Sequence, residues 1–98
     1  MREAEDALSL ASDAVALEVR QALLSLDEAR ALIGVAATGV KQSEEDLRVT
    51  RERFLEGLVL NTEVLDAESA LLEARLRYTM ALTAHATALA ALERAVGR

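Results

Sequence analysis

The sequence predicts an all-α fold: a long antiparallel two-helix coiled-coil hairpin that associates further into a helical bundle. Three observations carry this. Apolar residues recur at alternating spacings of three and four over nearly the whole chain. Ala and Leu supply 38 of the 98 residues, while Pro is absent and Gly occurs four times. One short stretch, from Gly57 to Thr62, interrupts the helical pattern. The length allows one domain at most, and the scarcity of Pro and Gly excludes a turn-rich β-fold.

The first helix is expected from about residue 3 to 56. Its ladder reads Leu8, Ser12, Val15, Val19, Ala22, Leu26, Ala29, Ile33, Ala36, Val40, Ser43, Leu47, Thr50, Phe54. Sustained spacing of 3.5 residues marks a left-handed coiled-coil seam. Gly34 and Gly39 fall inside this helix, where they are expected as close-packing positions or points of gentle bending. Arg48, Arg51 and Arg53 near its end suit the negative end of the helix dipole.

The turn is expected at about 57–61. Gly57 suits the position just past a helix, because it takes φ > 0 without a Cβ clash. Asn61 or Thr62 is expected to cap the second helix. That helix runs from about 62 to 96, with Glu63 and Asp66 in its first turn, where negative charge is favoured. Its ladder reads Val64, Ala67, Leu71, Ala74, Tyr78, Ala81, His85, Ala88, Leu92, Ala95. Folded at the turn, the ladders meet as Phe54 with Val64, Leu47 with Leu71, Val40 with Tyr78, Ile33 with His85 and Leu26 with Leu92. Each pair of numbers sums to 118. Phe54 and Tyr78 are read as seam fillers and His85 as a seam histidine.

Two features exceed a self-contained hairpin. A second apolar stripe runs through Leu10, Leu17, Leu24 and Ala31, and through Leu65, Leu72 and Leu76 with Thr79, Thr83, Ala86 and Ala90. One hairpin has one seam, so this stripe calls for other helices. The pairing also leaves residues 1 to about 20 without a partner, an overhang of roughly 30 Å at 1.5 Å per residue. Two helices alone make a thin core.

Composition narrows the chemistry. The formal charge is −6, so nucleic acid is not an expected partner. The absence of Cys and a single His argue against thiol, metal and His-relay chemistry. Glu63 and Asp66 lie three apart and share a helix face. Such a pair serves acid–base catalysis only with a pocket or a partner group, and the sequence offers neither. Leu58, Val59 and Leu60 put an apolar tip on the turn, which suits docking. No apolar run approaches the ~20 residues of a membrane-spanning helix, and the acidic N-terminus is not a signal peptide.

At the turn the sequence becomes specific. Arg53-Phe54-Leu55-Glu56-Gly57-Leu58 is followed by Glu63-Val64-Leu65-Asp66-Ala67-Glu68, then Leu71-Leu72-Glu73-Ala74-Arg75, Tyr78 and Ala81. This order resembles outer membrane efflux proteins of the TolC type. The end, Ala91-Leu92-Glu93-Arg94-Ala95-Val96-Gly97, is similar to the close of their last long hairpin. Val19-Arg20-Gln21-Ala22 resembles an upstream segment of theirs, with Leu23 where Tyr is common. Leu60 stands where that family often has Ser or Thr.

The resemblance implies one hairpin of a periplasmic α-barrel, excised from a trimeric outer membrane duct, with Met1 as an added start. The turn residues Gly57, Leu58, Val59 and Leu60 would form the periplasmic tip. That tip would dock to an adaptor (membrane fusion) protein, which links the duct to an inner-membrane pump. Glu63 and Asp66 would face the pore as carboxylate rings, a cation-attracting gate. No cofactor is implied. The segment alone would be soluble and would self-associate as a dimer or other bundle. The alternative is a free-standing cytosolic hairpin that dimerises into a four-helix bundle as an interaction module.

Overall fold

Residues 2–97 are described in a computed structural model of the chain. Met1, expected to be an added start, lies outside the described residues. Two helices account for the fold: α1 spans Arg2–Leu55 and α2 spans Asn61–Val96. Among the described residues there is no strand. The helices fold back on each other into a rod of 83 × 16 × 13 Å. The length is that of α1 itself, since 54 residues at 1.5 Å each span about 80 Å.

The ends carry the charges that the helix dipole favours. Glu3 and Glu5 sit in the first turn of α1 and Arg53 in its last, while Glu63 and Arg94 do the same for α2. α2 gives way at Gly97, whose N–H donates to the Glu93 carbonyl at 2.8 Å.

The seam is where the heptad spacing puts it. Every ladder residue of α2 from Val64 to Ala95 is buried or half-buried, and so is every ladder residue of α1 from Val19 to Thr50. Leu47, Val64 and Leu71 form a buried cluster against which Val40 and Ala67 pack. His85 and Tyr78 are half-buried in the same line. Two ion pairs cross between the helices: Arg51 with Glu68 at 3.1 Å, and Arg75 with Glu44 at 4.0 Å. Both join residues whose numbers sum to 119, so the polar and apolar contacts report one register. The core is thin. Its best-covered side chain, Ala95, still keeps 3% of its surface, and the largest residues in it are Leu26, Leu47 and Leu71.

Two expectations about the helices need correction. Phe54 does not fill the seam: it is 41% exposed. It stands in the last turn of α1, and beyond it the chain turns away, so no further layer covers the ring. Gly34 and Gly39 are not close-packing points of the hairpin. A Cβ placed at either would meet nothing within 4 Å: Gly34 is exposed, and Gly39, half-buried, stands at a g position beside the seam. α1 runs through both without interruption.

The apolar stripe outside the seam remains uncovered. Leu10, Leu17 and Leu24 on α1 are 55–70% exposed, and Leu65, Leu72 and Leu76 on α2 are 52–69% exposed. Thr79 and Thr83 extend this stripe with their methyl groups, because each hydroxyl donates to a carbonyl four residues back. The N-terminal stretch of α1, with Leu8 and Val15, is likewise open, since α2 does not reach it.

Candidate functional site

The tip is built from the backbone upward. α1 ends in a Schellman motif. The Leu58 N–H donates to the Arg53 carbonyl at 2.8 Å, and the Gly57 N–H donates to the Phe54 carbonyl at 3.0 Å. Closing both bonds requires a left-handed residue between them, and Gly57 supplies it with φ +75°. It is the only described residue with positive φ.

α2 is capped by backbone geometry rather than by a polar side chain. The cap position is Leu60, extended at φ −82° and ψ 156°, with no side-chain cap bond. Its carbonyl accepts from the Glu63 N–H at 3.0 Å. Asn61 and Thr62, expected as caps, are already inside the helix. The seam register explains this. Val64 must be the first buried layer of α2, so the helix has to begin early enough to present it.

The result is a short apolar surface at one end of the rod. Leu58 is 69% exposed, Leu60 70% and Leu55 84%, while Val59 is half-buried. All of it is held by the Gly57 geometry.

Glu63 and Asp66 follow within a turn and a half. Both are exposed, and neither has an ion-pair partner among the described residues. Their neighbours along the rod differ. Arg48 bridges Glu45 at 2.5 Å and Glu52 at 2.7 Å. Glu68, Glu44 and Glu73 each pair with an arginine as well. The bidentate hydrogen bond from Arg48 holds the Glu45 carboxyl below the usual carboxylate range and raises the guanidinium in turn.

The charges are also sorted by side. In the heptad frame Arg51, Glu68, Glu44 and Arg75 take e positions, on one flank of the seam. Glu63 takes a g position and Asp66 a c position, on the other flank. Near the tip the e flank thus carries a cross-helix ion pair, while Arg53, Glu63 and Asp66 stand on the other flank without one.

Sequence reading singled out the tip and both acids but missed the cross-helix ion pairs. The signal was available, since e positions whose numbers sum to one more than the seam's 118 face each other. It also missed an apolar trough farther up the g flank, lined by Leu32, Val35, Gly39 and Met80 among others. Among the described residues no three His, Asp or Glu side chains gather to hold a metal ion, and no helix is long and apolar enough to cross a membrane.

The hairpin leaves an apolar tip and apolar edges uncovered. The chain matches the outer membrane efflux protein family over residues 1–98, its whole length, and it belongs to that family. Members of that family are outer membrane channel proteins with periplasmic helical parts. They generally trimerise and work with adaptor proteins. No curated protein and no solved structure matches the chain.

Proposed function

We propose that this chain is a wall segment of the periplasmic α-barrel of a trimeric outer membrane efflux or secretion duct, and that its turn docks to a periplasmic adaptor protein. The reading is architectural: the segment encloses a conduit and performs no bond chemistry. The observation that carries it is the pairing of family membership over the whole chain with apolar edges that the hairpin leaves open. A barrel stave needs lateral contacts on both edges, and a free-standing hairpin does not.

Within that reading Gly57, Leu58, Val59 and Leu60 are the docking surface. An apolar tip on a rigid stalk presents little area. Its fit therefore depends on a fixed backbone, and the Schellman closure provides one. Glu63 and Asp66 serve as the pore gate. Repeated by threefold symmetry, unpaired carboxylates would form rings that attract cations and repel one another. Their lack of arginine partners supports this role, because a neutralised ring has little field.

The test uses the full-length parent. Gly57→Val should abolish docking and export while leaving the barrel assembled, since the seam holds the helices and the turn only joins them. Glu63→Gln with Asp66→Asn should leave assembly and docking intact but change conductance and cation block in planar-bilayer recordings. If both variants export and conduct like the wild type, the tip has no special role and the proposal fails.

A further inference from the structure

Every residue from Arg2 to Glu18 is exposed, although α1 is helical through all of them. The ladder of the seam nevertheless continues into this overhang, with Leu8 and Val15 at d positions and Ser12 at an a position. Leu8 is 73% exposed and Val15 48%. This is the same surface that α2 covers lower down, and it goes uncovered where α2 ends. Seam partners have numbers that sum to 118, so Val96, the last residue of α2, stands opposite Ala22. The e and g positions beside the middle of the free ladder are Ser9, Ala16, Ala4 and Ala11, so no charge stands there.

We propose that this overhang is an interface for a second copy of the chain, which enters antiparallel, so that two copies interlock end to end. The interface is continuous with the seam: each overhang takes the place that a longer α2 would hold. A parallel partner is excluded, because its α1 would run on into the space that α2 already fills. An antiparallel partner meets no such obstacle. Its first turn comes to rest against the end of α2, and symmetry places the other first turn against the other α2. The charges at that junction are complementary. Glu3 and Glu5 at the positive end of α1 meet Arg94 at the negative end of α2. The twofold axis passes near Ser12, and Leu8 of each copy packs on Val15 of the other. Two helices in contact over ~20 residues, or about 30 Å, bury roughly 1,000 Å². That is the low end for a specific interface, so the dimer is weak and reversible. The contact belongs to the hairpin itself and does not rest on the duct reading, so either can fail without the other.

Sedimentation of the whole chain should show a monomer–dimer equilibrium below about 0.5 mM, and small-angle scattering should show how the copies join. An interlocked pair spans roughly 135 Å, which is two rods of 83 Å less the ~30 Å overlap. A side-by-side four-helix bundle keeps the length of one rod. Val15→Asp should weaken the dimer by about tenfold or more, because it places a charge in the contact. At a dilution where the wild type is monomeric, the same variant should unfold like the wild type, since α2 does not reach Val15. Leu72→Asp, at an exposed position outside the overhang, should leave the dimer unchanged. The direction is read by cross-linking, because the chain has no cysteine of its own. A mixture of the Leu8→Cys and Val15→Cys variants should form the mixed disulfide under mild oxidation faster than either variant links to itself. The proposal is overturned if the chain stays monomeric to that concentration, or if the dimer keeps the length of one rod. It is equally overturned if Leu72→Asp rather than Val15→Asp dissociates it, or if each cysteine variant links to itself as readily as to the other.

Discussion

Two glycines with the same open surroundings should respond to alanine with opposite signs. A Cβ at Gly57 and a Cβ at Gly34 both meet nothing within 4 Å, so neither substitution creates a clash between atoms in contact. What differs is the backbone. Gly57 has φ +75°, a left-handed conformation that costs an L-residue about 1–2 kcal/mol. Gly34 lies inside α1, where replacing Gly by Ala gains about 0.8–1 kcal/mol through unfolded-state entropy and helix propensity. For a domain of this size 1 kcal/mol moves the thermal midpoint by about 4–8 °C. Gly57→Ala should therefore lower the midpoint by roughly 4–16 °C, and Gly34→Ala should raise it by roughly 3–8 °C. The assay is thermal and urea unfolding followed by circular dichroism at 222 nm, at one fixed protein concentration because association would shift both midpoints. Gly57→Asn should fall between Ala and wild type, since Asn tolerates the left-handed region best among non-glycine residues. If Gly57→Ala is neutral or stabilising, the turn does not hold the left-handed geometry. If the two glycines respond with the same sign, the separation of backbone from packing is mistaken.

The other predictions concern the seam and its polar fringe. Leu47→Ala removes a side chain from the buried Leu47, Val64 and Leu71 cluster and should cost about 2–3 kcal/mol. Urea unfolding should show that loss, and the same change at exposed Leu72 should stay within about 0.5 kcal/mol. The Glu45 carboxyl is held low by Arg48. Its contribution is therefore present above the ordinary carboxylate range and fades as pH falls through its own lowered midpoint. An NMR titration of the Glu45 side chain should show that midpoint rising to the ordinary range in Arg48→Ala, while high salt should narrow the difference. Breaking the exposed Arg51–Glu68 pair with Glu68→Gln should move stability by less than about 1 kcal/mol, measured the same way.

The fold was legible because one signal ran through almost the entire chain. A spacing of 3.5 residues marks a seam without reference to any tertiary partner, and the ladder from Val19 to Thr50 is the one that packs against α2. The glycine at the turn was equally plain, since a left-handed residue after a long helix has few alternatives to Gly. Failures came where a weak local preference met a stronger constraint. Asn61 and Thr62 offered a side-chain cap worth about 1 kcal/mol, but the register that buries Val64 decided where α2 begins. Phe54 obeyed the spacing and is still exposed, because periodicity says which side a residue faces and not whether anything stands there. Gly34 and Gly39 looked like close contacts, although neither takes an a or d position of the seam.

The same distinction explains why the site was only half legible. A sequence names residues at a turn, but whether an acid is free depends on which basic side chains can reach it. Ten of the eleven basic residues are arginine, and Arg48, Arg51 and Arg53 sit near the end of α1. Arg53 in particular sits in the last turn of α1 at a g position, on the flank of Glu63, yet it makes no ion pair with it. Arg48, Arg51 and Arg75 are all engaged on the e flank or along α1. The unpaired state of Glu63 and Asp66 is thus not due to a shortage of cations. Adding a cation beside the acids on their own side should be more disruptive than removing one from the opposite flank. In the full-length parent Ala70→Arg, at a g position one heptad beyond Glu63, should reduce cation block at the gate. Removing the guanidinium on the opposite flank with Arg51→Gln should leave it unchanged. Equal effects from the two variants in bilayer recordings would show that the flanks are not electrostatically separate.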